Sequence, residues 1–121
     1  ADTIRGLVKV GGLLSSHKGV NLPQTRLPVS SITEKDLADL RFGIQSGVDW
    51  VAVSFVRSPT DLEPAQRMIE AVGAKIRIIA KIERREAVEQ FDSILAAADG
   101  IMVARGDLGV EMPIDEVPLI Q

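Results

Sequence analysis

The fold class of this chain follows from residues 76–82, which read IRIIAKI. The run is short, apolar and rich in β-branched isoleucine, and two similar runs flank it, DWVAVSF at 49–55 and GIMVA at 100–104. Short apolar runs of this kind predict strands. Because none of the three alternates strictly between apolar and polar residues, we expect a parallel sheet that is buried on both faces.

Helical patterns separate the three strands. Thr33, with Asp36 three residues later, predicts a helix that ends before Gly47. The other predicted helices cover residues 58–72, 84–98 and 115 onward. Strands therefore recur about once every 25 residues, the length of one βα unit. Two architectures fit this pattern, a doubly wound sheet and a (β/α)8 barrel, and the chain is roughly half as long as a complete barrel.

The beginning of the chain has a different residue pattern, with more glycine and proline and no helical periodicity. Residues 3–16 read as a strand interrupted by glycines, followed by a polar turn at 15–19 and a loop with prolines over 24–31. The chain starts without Met, and its last residues, 118–121, fall inside a predicted helix. We therefore expect a segment of a longer protein.

The composition argues against several classes of function. There is no Cys, so a disulfide framework, a thiolate metal site and a cysteine nucleophile are excluded. The 14 basic and 17 acidic residues give a net charge of −3, which argues against non-specific binding of nucleic acid. No apolar run approaches the ~20 residues of a membrane span, and no secretory leader is visible. A cytoplasmic protein without membrane or nucleic-acid partners is the expectation.

Charged residues follow the second predicted strand. Lys81 and Glu83 are two residues apart, so both side chains project from the same face at the strand's carboxyl end. In a parallel α/β fold this end is where active sites form. On spacing alone, an ordinary ion pair at the end of a strand is the favoured interpretation.

A glycine-containing segment follows the third strand. Ala104, Arg105 and Gly106 lead to Asp107, and backbone N–H groups of such a turn bind anions. Asp107 offers a hard oxygen ligand for Mg2+ or Mn2+. An ordinary strand-to-helix turn has the same composition and is slightly favoured for this segment by itself.

The two segments together are more informative than either one. Glu83 and Asp107 end neighbouring strands, with Lys81 beside one and an anion-binding turn beside the other. Two carboxylates and substrate oxygens are how proteins usually hold Mg2+. A nearby lysine suits a phosphoryl or enolate transition state. The combination favours metal-assisted chemistry on an anionic substrate.

Other features are less informative. We expect His17 to lie in a solvated loop, Trp50 and Phe55 to pack in the core, and the run 81–86 to form a solvated helix start beyond Glu83. Residues 6–12 lack the ending of a P-loop.

Four stretches of the chain resemble the pyruvate kinase family. They are IRIIAKIERREAV at 76–88, MVARGDLGVE at 102–111, KGVNLP at 18–23 and SFVR at 54–57. The resemblance follows the family's order over essentially the whole chain. It implies a (β/α)8 TIM barrel, of which residues 19–121 form a part, preceded at residues 1–18 by the last β-strands of a small inserted lid domain.

The resemblance also implies an activity and roles for residues. Pyruvate kinase transfers the phosphoryl group of phosphoenolpyruvate to ADP, giving pyruvate and ATP, and uses Mg2+ or Mn2+ and usually K+. Lys81 matches the lysine that stabilises the phosphoryl group, and Glu83 and Asp107 match the metal ligands. The substrate-binding positions are Lys81, Ala104, Arg105, Gly106 and Asp107. Lys18 matches a lysine near the nucleotide.

Much of the family's enzyme has no counterpart in these 121 residues. The first barrel strands, the K+ ligands, most of the lid, the later strands and the regulatory domain are missing. We therefore expect the isolated segment to be inactive and the parent to be a homotetramer. Two alternatives are a Mg2+-dependent lyase or aldolase barrel acting on pyruvate-like substrates, and a non-catalytic binding fragment.

Overall fold

The computed structural model describes residues 3–23, 25 and 29–121. Residues 1–2 of the predicted lid segment, and Gln24 and residues 26–28 of the predicted loop, lie outside the described residues. The centre of the fold is a three-stranded parallel sheet in the order β1-β2-β3. Its strands are β1 Trp50–Val53, β2 Arg77–Ile82 and β3 Gly100–Val103. The three predicted strands and their parallel pairing are confirmed.

Helices connect the strands, as expected for βα units. They are α1 Glu34–Gln45, α2 Glu63–Ala71, α3 Arg85–Glu89, α4 Phe91–Ala97, α5 Arg105–Glu111 and α6 Val117–Ile120, with a short 3-10 helix at Pro59–Asp61. None of the helices in the described ranges is long and apolar enough to cross a membrane.

The ends of α1 are those that the sequence predicts. Thr33 caps the helix: its backbone N–H donates to Asp36 Oδ2 at 2.8 Å, and Asp36 N–H donates to Thr33 Oγ1 at 3.2 Å. The hydrogen bond from the Thr33 hydroxyl lowers the pKa of the Asp36 carboxyl. Past the other end, Gly47 takes a φ of +75°, which glycine adopts without steric cost.

Two predicted helices are each divided in the structure. The helix expected over 58–72 begins as a 3-10 turn before α2, and the one expected over 84–98 breaks at Gln90, where φ is −107° and ψ is 22°. The second break lies between Ala87 and Ile94, both completely buried. The two short helices on either side of this break, α3 and α4, therefore each pack one apolar residue into the core.

The prediction of a turn at residues 104–109 is wrong, because these residues begin α5. Gly106, Asp107 and Gly109 are weak helix formers, so local preference argues against a helix here. Leu108 is completely buried and Met112 nearly so. Packing of this apolar side against the core outweighs the local preference.

The prediction of a strand over residues 3–16 is also wrong. The structure assigns no strand to residues 3–23, and every one of these side chains is exposed. A strand needs a hydrogen-bonded neighbour, and no other described segment pairs with this one. The apolar side chains of Ile4, Leu7 and Leu13 thus have nothing to pack against.

The helices cover one face of the sheet. The covered face carries Val53, Ile78, Ala80 and Ile82, which share one buried core with residues of α1, α2, α3, α4 and α5. The opposite face carries partly exposed apolar side chains, among them Trp50 and Met102. Burial on both faces, expected from the sequence, is therefore met on one face only. A doubly wound sheet has helices on both faces, so this arrangement agrees better with a piece of a barrel.

Candidate active site

The ends of β1 and β2 bring a lysine, a carboxylate and a hydroxyl together. The Lys81 ammonium forms an ion pair with Glu83 Oε1 and donates a hydrogen bond to Ser54 Oγ at 3.0 Å. The Lys81 side chain is 24% exposed and the Glu83 side chain only 1%. The sequence placed Lys81 and Glu83 on the same side of the strand, and the contact between them confirms this.

The backbone after β1 holds the other carboxylate oxygen. Phe55 N–H donates to Glu83 Oε2 at 2.7 Å, although the two residues are 28 apart in the chain. Phe55 has a φ of +56°, an uncommon value for a bulky residue. Ser31 Oγ donates to the Phe55 carbonyl at 2.9 Å and supports this conformation from the other side. Phe55 is half exposed rather than in the core, contrary to the sequence expectation.

This pair differs from the ordinary exposed ion pair that spacing alone favours. The Glu83 carboxylate is removed from water and held by an ammonium and a backbone N–H. A buried charge costs free energy unless it is paired and hydrogen-bonded. The Lys81 ammonium therefore compensates Glu83, while its own partial exposure leaves it accessible at the edge of the sheet.

Asp107 lies on the next element at the same edge. The Ala104 N–H donates to the Ile82 carbonyl at 3.1 Å, which joins the start of α5 to the end of β2, directly before Glu83. Asp107 is in the first turn of α5 and is exposed, as are Arg105 and Gly106. The first N–H groups of a helix have no intrahelical acceptor, so they are donors for an anion.

The donor chemistry of this edge fits a divalent cation of the Mg2+ type. Glu83 and Asp107 supply hard carboxylate oxygens, and Mg2+ usually takes one or two protein carboxylates together with substrate oxygens. Within the described ranges, no group of three or more His, Cys, Asp or Glu residues is arranged to hold a metal alone. Glu83 Oε1 is paired with the Lys81 ammonium and Oε2 accepts one hydrogen bond from Phe55, and each carboxylate oxygen has a second lone pair.

The predicted nucleotide residue, Lys18, is exposed. It lies in the exposed segment 3–23, next to His17, whose φ is +62°. The following residues, Gly19 to Asn21, line a cavity of about 430 Å³ together with Phe55, Arg57 and Arg84. The segment directly after Lys18 therefore borders the strand ends.

Asp61 organises the loop after β1 and was missed from the sequence. Asp61 Oδ2 accepts from the Arg57 N–H at 2.8 Å and the Ser58 N–H at 3.2 Å, and the Arg57 guanidinium reaches Asp61 Oδ1 at 3.1 Å. Burial acts to raise the pKa of Asp61, but the hydrogen bonds from Arg57 and Ser31 together with the Arg57 charge outweigh it, and the pKa lies below its usual value.

Arg84 and Glu111 were missed as well. The sequence predicts a solvated helix start at 81–86, yet the Arg84 side chain is only 14% exposed and that of Glu111 only 5%. Their Nε and Oε1 atoms lie 3.4 Å apart. No local signal indicates this contact, because the two residues belong to different βα units.

A parallel sheet with a lysine and two carboxylates at its carboxyl edge defines an α/β protein built like an enzyme that acts on anions. Comparison with known families makes this specific. The family described as pyruvate kinase, barrel domain, matches residues 1–121. The chain therefore belongs to the pyruvate kinase family, as its four sequence stretches predicted.

Curated relatives agree with the family match. The chain is 53% identical to pyruvate kinase 2 of Synechocystis over 114 residues, which cover 94% of the chain and 19% of that protein. It is 51% identical to the pyruvate kinase of Thermococcus litoralis over 120 residues, which cover 99% of the chain and 25% of that protein. It is 55% identical to the pyruvate kinase of Geobacillus stearothermophilus over 112 residues, which cover 92% of the chain and 19% of that protein.

The chain thus spans about a fifth to a quarter of the length of these relatives. The comparisons favour the kinase family over the lyase or aldolase barrel that the residues alone left open.

Proposed function

We propose that this chain carries part of the active site of a pyruvate kinase, which transfers the phosphoryl group of phosphoenolpyruvate to ADP and releases pyruvate and ATP. The observation that carries the proposal is the contact of Lys81 with Glu83 and Ser54 at the carboxyl edge of the sheet. Family membership supports the proposed reaction, and this contact supports the proposed roles of Lys81 and Glu83.

Lys81 is proposed as the catalytic residue. Phosphoryl transfer is accelerated mainly by positioning and by charge stabilisation. The ammonium is held by two partners and remains partly accessible, so it is oriented before a substrate arrives. A fixed positive charge stabilises the oxygens of the phosphoryl group as it leaves phosphoenolpyruvate.

Glu83 and Asp107 are proposed as the ligands of Mg2+ or Mn2+. When bound, the metal would neutralise negative charge on the substrate oxygens. Burial of Glu83 and the hydrogen bond from Phe55 fix one ligand, whereas exposed Asp107 is reached from solvent.

The first turn of α5 is proposed to bind the substrate carboxylate. Ala104, Arg105 and Gly106 lie at its start, where N–H groups and the helix dipole favour an anion. Lys18 is proposed to contact the nucleotide phosphates. The residues directly after it, Gly19 to Asn21, line the cavity beside Phe55 and Arg57, which supports this role.

The proposal for the whole protein is broader. Residues 1–18 would end an inserted lid domain, and residues 19–121 would form part of a (β/α)8 barrel. K+ would be held by residues outside this chain, and the parent would be a cytoplasmic homotetramer that binds neither nucleic acid nor membranes.

The test of the reaction is Mg2+-dependent transfer from phosphoenolpyruvate to ADP, measured with lactate dehydrogenase on the full-length protein. We expect Lys81→Ala to lower kcat by about 10²- to 10³-fold, the usual cost of removing one charge-stabilising group. Lys35→Ala is the matched control, since Lys35 is an exposed lysine paired with Asp39 on α1.

The outcomes separate the hypotheses. A full-length protein without any transfer would overturn the kinase proposal and favour the non-catalytic binding fragment. A Lys81→Ala protein that keeps normal turnover would remove Lys81 from its catalytic role. Lys35→Ala should behave like the unmodified protein in either case.

A further inference from the structure

A buried ion pair connects two βα units beside the proposed metal ligands. Arg84 directly follows Glu83, and Glu111 is the last residue of α5, which carries Asp107. Arg84 Nε lies 3.4 Å from Glu111 Oε1 and 3.8 Å from Glu86 Oε2. The Glu111 side chain is more deeply buried than either of the other two.

This pair needs an explanation beyond stability. Buried ion pairs often stabilise a protein no more than apolar residues of similar volume. The pair is also incompletely satisfied, because Arg84 Nε is buried without a hydrogen-bond partner among the described residues. Its attraction to Glu111 is therefore charge pairing at 3.4 Å rather than a hydrogen bond.

The location of the pair suggests what it does. The beginning of α5 is joined to β2 by the Ala104–Ile82 hydrogen bond, and Leu108 anchors the middle in the core. Glu111 adds a third attachment at the end of the helix. Asp107 and Glu111 are four residues apart and share one side of α5. Holding Glu111 therefore sets the rotation of the helix and the direction in which Asp107 points.

The charge of Arg84 has a second effect. Without it, buried Glu111 would place an uncompensated negative charge one helical turn from Asp107 and close to the proposed cation site. Paired with Arg84, this carboxylate is neutralised and is not available as a competing metal ligand.

We infer that Arg84 and Glu111 are positioning residues, which orient α5 so that Asp107 and Glu83 bind one divalent cation together. The inference rests on the proposed function of those two carboxylates. It predicts that loss of the pair weakens metal binding although neither member touches the metal.

The test uses full-length protein and Mn2+ as the probe, with free Mn2+ measured by electron paramagnetic resonance. The main variant combines Arg84→Met with Glu111→Met, because it leaves no buried charge without a partner. We expect Mn2+ affinity to fall about tenfold or more, as for other groups that orient metal ligands. The control combines Glu63→Met with Arg67→Met, an exposed ion pair on α2, and should stay within about twofold of the parent.

Two further measurements locate the effect of the pair in α5. In the metal-free protein, amide hydrogen exchange of residues 105–111 should be faster in the double variant than in the control. Arg84→Lys, which keeps the positive charge opposite Glu111, should retain more of the Mn2+ affinity than the double variant.

A folded double variant that binds Mn2+ as tightly as the parent would overturn the inference. Failure of the proposed function has a different signature, which is an unmodified protein that transfers no phosphoryl group. The two failures are distinguishable because Mn2+ binding is measured without turnover.

Discussion

At the scale of single residues, Phe55 has the backbone conformation most closely tied to the site. His17 and Phe55 are the described non-glycine residues with positive φ. Such a conformation costs on the order of 1–3 kcal/mol and persists only where its surroundings support it. At Phe55 the support is a hydrogen bond on each side of the peptide, to Glu83 and from Ser31. One of these two strained residues, Phe55, thus orients a proposed metal ligand.

Asp61 leads to a prediction about pH. Its pKa is lowered in the folded protein, so its ionised form contributes stability above the unfolded pKa of about 3.9. That contribution is lost as the pH falls through the lower, folded pKa. We expect Asp61→Asn to destabilise the barrel domain by about 1–2 kcal/mol at pH 7, measured by urea unfolding.

The control for this prediction is Asp92→Asn, at an exposed position on α4. The difference between Asp61→Asn and the unmodified protein should shrink as the pH is lowered below about 4. A difference that stays constant from pH 7 to pH 3 would show that the Asp61 charge is not responsible.

At the scale of elements, helix caps are the features that local sequence describes best. The Thr33–Asp36 capping box uses residues three apart, so no distant contact is needed to form it. The helix α5 is the opposite case. Its glycines and aspartate disfavour a helix, and burial of Leu108 in the assembled core stabilises it.

The cap of α1 gives a prediction at this scale. Thr33→Ala removes the hydroxyl that accepts from the Asp36 N–H and should cost about 1 kcal/mol of unfolding free energy. The measurement is the urea midpoint, with Thr33→Ser as the matched variant that keeps the hydroxyl. Equal losses in both variants would show that the methyl group, and not the cap, is responsible.

At the scale of the whole molecule, the uncovered face of the sheet is the dominant feature. Trp50 and Met102 are partly exposed on it, and β1 and β3 are edge strands among the described residues. Unpaired strand edges and apolar surface favour association between chains.

We therefore predict that residues 1–121, produced alone, show no transfer from phosphoenolpyruvate to ADP and self-associate. The measurements are the coupled assay and sedimentation velocity, with the full-length protein as the control in both. Turnover by the segment within about tenfold of the full-length protein would contradict this prediction, because it would show that these strand ends are sufficient for catalysis.

The sequence by itself determined the strands, the cap of α1 and the pairing of Lys81 with Glu83. Each depends on residues close together in the chain, through apolar runs, three-residue caps or the two-residue period of a strand. The family, too, was predicted from short stretches and confirmed by comparison.

The tertiary structure decided the rest, which includes the burial of Glu83, the hydrogen bond from Phe55, the helix at 105–111 and the Arg84–Glu111 pair. These features join segments that are about one βα unit apart in the chain. Their free energies depend on which groups lose water when the segments pack, and no local pattern of residues records that. For the same reason the strand predicted at 3–16 is absent: its residues suit a strand, but the structure provides no neighbour to pair with it.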